Sequence, residues 1–346
     1  MCRRPSSGSR SSPGNILCDK FATSTLYGYT PPPALHWVYR SERILQELHE
    51  RDADILCLQE IATDVFRDFF SPELAQDGYK GVHWPRPKAK TMAEKDAQAV
   101  DGCAVFYKSS KWILLDKQLL DYANIAINRP DMKNQHDIFN RTAIMMENIT
   151  RLAEKYSRWP ALKDKKMIQL PLERRGSSAP TCPNPGRHKN TATTPTFHWS
   201  SAGDYNSTYD SSVYELLSMG RVAPNHSDFG DHQYGSFTRD GIEHPFSMRS
   251  AYVHLKGTPE DLPFTNYVPG FAEVIDYIWY STNTLEVVSL LGPPDRDHLK
   301  RVPGFPNYHF PADHIQIMAE LVIKARKDKK MVQEPDFGSG SGDRRG

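Results

Sequence analysis

A mixed α/β domain is the fold class this sequence predicts, on three observations. Short apolar runs of strand length alternate with longer stretches whose apolar residues recur at helical spacing. Oxygen-bearing side chains recur at the ends of those runs or inside them: Leu58-Gln59-Glu60, Gly203-Asp204-Tyr205-Asn206-Ser207, Val274-Ile275-Asp276-Tyr277 and Ala312-Asp313-His314. The length, 346 residues, is enough to bury a large core in one big α/β domain or two smaller ones.

Residues 1–14 are rich in Ser, Arg and Pro and read as a disordered leader to a domain spanning 15–330. Trp37 to Glu50 sets Ile44, Leu45 and Leu48 on one helical face. Asp54 to Leu58 then reads as a short buried strand with Glu60 just past its carboxyl end, a common site geometry in α/β proteins. Gly102 to Tyr107 and Trp112 to Leu120 are the next expected strands. Ala143 to Tyr156 is an expected helix with Ile144, Met145, Ile149 and Leu152 inward.

Residues 171–202, dominated by Pro, Thr, Ser and basic residues, read as an irregular insert. Ser211 is a suitable cap for a helix running to Met219 that carries Val213, Leu216 and Leu217 on one face. Val274 to Tyr280, Leu285 to Leu291 and Ile315 to Ile323 are strand-like, with a Pro- and Gly-rich stretch at Gly292 to Pro311. Residues 331–346 read as a flexible Gly-Ser-containing tail.

Composition narrows the function classes. Net charge is +1, so there is no global pull toward nucleic acid, and any such binding falls to a local patch. Arg86-Pro87-Lys88-Ala89-Lys90 with Lys95 is the best candidate, and it equally fits a solvated loop. Five cysteines at irregular spacings give no CxxC pair and no zinc-finger pattern, so reduced thiols are expected. No apolar run approaches bilayer-spanning length and no signal peptide opens the chain, which makes an intracellular compartment the default expectation and a membrane partner not expected.

In Gly203-Asp204-Tyr205-Asn206-Ser207, an Asp and an Asn two residues apart put two oxygen-bearing side chains on one side of an extended backbone. Alone it fits a turn better. Glu60 alone fits a strand-end surface acid, Asn15 a cap, and His314 a satisfied structural histidine. Asp276, inside an apolar strand, needs a partner. Jointly, carboxylates and amides with no thiolate and one His suit Mg²⁺ or Mn²⁺ better than zinc. A phosphodiester needs what such a set supplies: a cation for its nonbridging oxygens, a carboxylate to orient and deprotonate water, and a His to stabilise charge. No Gly-rich phosphate loop and no nucleophilic Ser or Cys triad is present.

The ordered set Asn15, Leu58-Gln59-Glu60, Gly203-Asp204-Tyr205-Asn206, Ile275-Asp276-Tyr277 and Asp313-His314 resembles the endonuclease/exonuclease/phosphatase superfamily. Longer stretches narrow the resemblance to its carbon catabolite repressor type poly(A) deadenylases: Asn15 to Lys20 with Leu26 to Tyr29, Asp101 to Ala104, Ser211 to Leu217, Gly230 to Tyr234 and Pro303 to Pro311. The likeness covers about 15–170 and 203–324.

It implies a DNase-like four-layer α/β sandwich with two central, mostly antiparallel sheets. It implies a Mg²⁺-dependent exoribonuclease, with two ions and Mn²⁺ as a substitute, that shortens mRNA poly(A) tails from the 3′ end and releases 5′-AMP in the cytoplasm and also the nucleus. By that resemblance Glu60 holds metal with Asn15 nearby and Asp313 beside the cluster. Asp204 and Asn206 orient the attacking water and the phosphate, Asp276 pairs with His314 beside the scissile group, and Phe271 stacks on the terminal adenine. RNA and the subunits of a deadenylase complex are the implied partners.

The sequence departs from the pattern in three places. After Asp137 to Arg141 the family continues through two strands carrying a Thr-His and a Trp-Asp-Pro motif; here Arg141 runs straight into Thr142-Ala143-Ile144-Met145, where family sequence resumes. The strands expected ahead of Asn15 and Asp204 are replaced by Ser-, Thr- and Pro-containing sequence, and no leucine-rich repeat pattern occurs. An incomplete sandwich follows, from a truncated or internally spliced domain or from a gene-prediction error. Three function classes come with it: an active poly(A) exonuclease, a catalytically impaired RNA-binding or interaction module derived from one, and another metal-dependent phosphoesterase of the superfamily.

Overall fold

The computed structural model describes residues 8–120, 145, 146, 149, 167–171, 198–230, 235–258 and 260–324. Fourteen strands occur among them. They are β1 Ser9–Asn15, β2 Ile55–Ala62, β3 Tyr79–Pro85, β4 Asp101–Lys108, β5 Met167–Pro171, β6 His198–Asp204, β7 Arg221–Val222, β8 Ile242–Glu243, β9 Met248–Ser250, β10 Asn266–Val268, β11 Phe271–Glu273, β12 Asp276–Ser281, β13 Leu285–Leu290 and β14 Ala319–Ile323. The first large sheet has the order β13-β14-β1-β2-β4-β3, the second β5-β6-β12-β9. Only the β1–β2 and β5–β6 pairings in them are parallel.

Strand β2 shows why these layers form. Its side chains alternate faces, and both faces are apolar: Ile55 and Cys57 join the core between the sheets, while Leu56 and Leu58 join the core under a helix, α1, at Trp37–Arg51. That helix buries Ile44 and Leu48 on the sheet, as their spacing predicts. On the far side a second helix, α2 at Ser212–Met219, is capped by the Ser211 hydroxyl, which accepts from the Tyr214 N–H at 3.2 Å. Its Tyr214 ring lies 5.4 Å from Tyr277 and 5.1 Å from Trp279 of β12. Helix, sheet, sheet, helix is the four-layer sandwich.

Several expectations are corrected. The leader is not wholly irregular: Ser9–Asn15 is an inner strand, paired with β14 through Ser9, Arg10 and Ser11 and with β2 through Ser11 to Asn15. Ser11 and Ser12 are buried and small enough to let the sheets approach, and the Ser12 hydroxyl donates to the Ile317 carbonyl at 2.9 Å. Pro13 lies beyond the β14 ladder, so its missing N–H breaks no bond there.

The end of the expected insert is likewise a strand. β6 is held between β5 and β12, with Ser200 and Ser201 fully buried. Glu60 lies within β2 rather than past its end. Trp112 to Leu120 has no regular structure, and Ile113 and Leu115 are exposed, because apolar residues without a partner strand make no ladder. Met145 and Ile149 are buried as predicted, but Ile144, Leu152, most of 171–197 and the 331–346 tail lie outside the described residues. No helix among the described residues is long and apolar enough to cross a membrane.

One close approach fixes the β3–β4 pairing. A Cβ on Gly102 would sit 2.0 Å from the Trp84 carbonyl oxygen and 2.6 Å from the Pro85 Cα, both backbone atoms that cannot swing aside. Gly102→Ala is therefore expected to lower stability by about 3 kcal/mol, read from urea unfolding.

Candidate active site

The two sheets deliver their polar residues to one end of the sandwich. Asn15 ends β1 level with Gln59 of β2. Asp204 ends β6 directly opposite Asp276, the first residue of β12. Between Leu58 opposite Ala104 and Ile61 opposite Gly102, β2 carries a bulge that spans Gln59 and Glu60. Glu60 takes φ 62°, an uncommon left-handed conformation for a residue with a side chain. Such a bulge breaks the face alternation and re-aims a side chain next to a site. Asn206 (φ 49°) and Leu17 (φ 53°) are held in the same region, so three strained backbones cluster here.

Hydrogen bonds join the set. The Asn15 Oδ1 accepts the Leu17 N–H at 3.0 Å and its Nδ2 faces Asp204 Oδ2 at 3.5 Å. The Cys18 N–H donates to Glu60 Oε2 at 3.2 Å, and the Asn206 N–H to Asp204 Oδ1 at 2.8 Å. His314 Nδ1 lies 2.7 Å from Asp276 Oδ2, leaving Nε2 4.0 Å from Asp204 Oδ2. The Thr265 Oγ1 accepts the N–H groups of Ile275 and Asp276, each at 2.9 Å, and fixes the start of β12. Asp313 Oδ2 accepts from the Tyr27 hydroxyl at 2.8 Å.

Electrostatics separate the residues into two groups. Burial alone would push His314 down, but the adjoining Asp276 carboxylate overrides it, with Asp313 and Asp204 adding to the effect. The imidazole is held well above its usual range and carries its proton. Glu60 is pushed up, first by burial and then by the negative charge of Asp313, with only partial relief from the Cys18 N–H, His314 and Arg86. Asp313 Oδ1 is buried with no hydrogen-bond partner among the described residues. Two carboxylates that repel each other, one of them with a buried oxygen that no described hydrogen bond satisfies, fit a divalent ion.

The donor chemistry decides which kind of ion. Glu60, Asp313 and Asn15 offer oxygens only, and burial raises the nearby Cys18 thiol to about 11, so no thiolate is on offer. No group of three or more His, Cys, Asp or Glu among the described residues forms a metal cage. A hard cation that keeps its waters and takes one or two carboxylates suits such a site.

Seven of the eight predicted site residues thus come together. Phe271 stands apart on the hairpin β10–β11, 40% exposed; the root of that hairpin bridges to the site through Asn266 and His314. Thr265 was not legible, because nothing in its sequence surroundings marks a hydroxyl that caps a strand. Tyr27 lies in the Leu26 to Tyr29 stretch, but its hydrogen bond to Asp313, 286 residues away in sequence, has no local signal.

A double-sheet sandwich with an oxygen-only site at its strand ends defines a class, and the chain belongs to it: the Endonuclease/Exonuclease/phosphatase family, whose sequence profile matches residues 15–314. Hydrolases of this family work with a bound metal ion. Within it, the chain is 66% identical to the CCR4-Not complex 3′-5′-exoribonuclease subunit Ccr4 of Neurospora crassa, over 92% of this chain and 46% of that protein. It is 47% identical to the Ccr4 subunit of Phaeosphaeria nodorum, over 94% of this chain and 61% of the relative. The chain spans about half the length of the curated relatives it matches.

Two solved structures share the fold. One is ANGEL2, a 2′,3′-cyclic phosphatase, with TM-score 0.66 and 20% identity over 91% of this chain and 95% of the other. The other is the human Nocturnin catalytic domain, with TM-score 0.55 and 17% identity over 94% and 97%. The Neurospora match runs over 362 positions while covering 92% of 346 residues, which is about 318; about 44 positions of that relative therefore have no counterpart here.

Proposed function

We propose that this chain is the nuclease core of a 3′–5′ exoribonuclease that shortens mRNA poly(A) tails and releases 5′-AMP. The observation that carries the reading is the 66% identity to a Ccr4 exoribonuclease subunit across a chain whose site residues converge as that chemistry requires. Glu60 and Asp313, with Asn15 nearby, would hold Mg²⁺, or Mn²⁺ in its place. When bound, the metal, as two ions in sites of this type, supplies neutralisation of the phosphate oxygens and activation of water.

The chain's own residues do the rest. Asp204, fixed by the Asn206 N–H and facing the Asn15 amide, orients the attacking water and accepts its proton. The Asn206 side chain holds the phosphate. Asp276 keeps His314 protonated and turned so that its Nε2–H faces the Asp204 side of the site, where charge develops. Phe271, exposed on its hairpin, offers a flat ring for an unpaired adenine. RNA is the macromolecular substrate, the CCR4-Not assembly the complex partner, and the cytoplasm, with the nucleus, the place of action.

A second reading has its own support. About 44 relative positions lack a counterpart, and the Thr-His motif of this enzyme class is absent between Arg141 and Thr142. The chain is then an RNA-binding module of reduced activity. Loss of one acid–base or charge-stabilising group costs about 10²–10⁴-fold in rate, so turnover well below that of an intact Ccr4 core is expected.

The test uses purified protein, Mg²⁺ and RNAs that differ only in a 3′ oligo(A) or oligo(U) tail. Shortening confined to the oligo(A) tail supports the nuclease. Binding without shortening supports the impaired module, and preference for a non-RNA phosphoester rejects both. Phe271→Ala is expected to weaken oligo(A) binding by about 1–3 kcal/mol while leaving the melting temperature unchanged, since the ring is already exposed.

A further inference from the structure

Arg40 lies in α1 with its side chain fully buried, 0% exposed, where an arginine is rarely found without a purpose. Its Nε donates to the Leu35 carbonyl at 3.2 Å. Its Nη1 faces the carbonyls of Ile16, Leu17 and Pro311 at 3.2, 2.9 and 3.1 Å. Among the described residues the carboxylate paired with it is Asp19, 3.6 Å from Nη2 and half exposed. Burial pushes the guanidinium down, and Asp19 offsets this only in part. Four backbone carbonyls from three chain segments are what this buried charge serves.

Two of those carbonyls belong to the peptide planes that hold the site. The Ile16 carbonyl shares its plane with the Leu17 N–H, which donates to Asn15 Oδ1. The Leu17 carbonyl shares its plane with the Cys18 N–H, which donates to Glu60 Oε2. A peptide unit is rigid, so fixing its oxygen fixes the direction of its N–H. Leu17 is also held at φ 53°, a conformation that needs outside support. The third carbonyl, Pro311, lies two residues before Asp313.

We propose that Arg40 is a positioning residue which ties the exit of β1 to the 311–313 loop and thereby sets Asn15, Glu60 and Asp313 in register for a divalent cation. The proposal rests on the reading of Glu60 and Asp313 as the cation-holding pair. Lysine cannot replace it, because a single ammonium lacks the planar fork that reaches carbonyls on separate segments.

The test is calorimetric titration of the whole chain with Mg²⁺, without RNA, in wild type, Arg40→Lys, Glu60→Gln and Leu48→Ala. Leu48 is buried about two turns further along the same helix and takes part in none of these hydrogen bonds, so its truncation reports destabilisation alone. Arg40→Lys is expected to weaken Mg²⁺ binding about tenfold, the usual cost of losing a group that orients ligands. Leu48→Ala should bind as wild type despite a lower melting temperature.

Wild-type affinity in folded Arg40→Lys, or an equal loss in Leu48→Ala, overturns the proposal. Equal binding by wild type and Glu60→Gln overturns the cation assignment itself, a failure visible without any Arg40 variant. Hydrogen exchange on the wild type covers the case in which Arg40→Lys does not fold. The Leu17 and Cys18 amides should be protected like those of Leu56 to Leu58 in β2, and exchange at free-peptide rates contradicts the clamp.

Discussion

Asp204→Ala is expected to remove phosphodiester cleavage by about 10²–10⁴-fold while the protein stays folded. Asp204 is the last residue of β6 and faces Asp276 across the ladder, so the backbone is held by β12 whatever the side chain. Its carboxylate accepts the Asn206 N–H, faces Asn15, and lies 4.0 Å from His314 Nε2. Removing it takes away a carboxylate placed between the Asn15 amide and the His314 imidazole.

The fold loses little, because Asp204 shares a buried, acid-rich neighbourhood with Asp276 and Asp313, and deleting one negative charge relieves repulsion there. A melting temperature within a few degrees of wild type, with oligo(A) binding retained, separates a chemical defect from a folding defect. Asp276→Asn should act differently. It removes the group that keeps His314 charged and oriented, so the rate falls while Asp204 and its hydrogen bonds remain.

Glu60→Gln is expected to abolish the response to Mg²⁺ and to stabilise the metal-free protein. Glu60 is buried, its range is raised by burial and by Asp313, and its N–H partner at Cys18 does not offset both. A carboxyl whose folded pKa lies above its unfolded one costs stability above the folded value, and that cost disappears as pH falls below the unfolded pKa. Neutral glutamine removes the penalty at pH 7, so the metal-free variant is the more stable of the two.

The same change removes a ligand for the cation. Wild type should melt at higher temperature as Mg²⁺ is added, because a ligand that binds only the folded state stabilises it. Glu60→Gln should melt at a higher temperature than wild type without Mg²⁺ and show no further rise with it. A variant that still gains stability from Mg²⁺ would place the cation elsewhere.

Much of this site was legible because polar residues at strand ends stand out against apolar runs. Asp276 inside Val274 to Tyr280 demanded a partner, and His314 supplies it at 2.7 Å. Helices α1 and α2 were readable from spacing, and the Ser211 cap from residue type. The strands carrying Asn15 and Asp204 were not. Ser-Arg-Ser-Ser-Pro-Gly-Asn and His-Trp-Ser-Ser-Ala-Gly-Asp have little strand pattern; they are strands because each lies between neighbours that supply the ladder. Their small residues bury completely where the sheets approach, which no propensity reports.

The bulge that turns Glu60 was also hidden, since it depends on the register between β2 and β4. Arg40 was hidden for the same reason. Its partners are 5, 23, 24 and 271 residues away in sequence.

Metal-assisted 3′ exonuclease action through Asp204 and Glu60 is the function proposed for this chain. Release of 5′-AMP from adenosine-ended RNA, followed as Mg²⁺ is raised, tests it most directly. The expected result is saturable, Mg²⁺-dependent release that falls to background in both Asp204→Ala and Glu60→Gln. Release that persists in chelator, or that is unchanged in either variant, would contradict it.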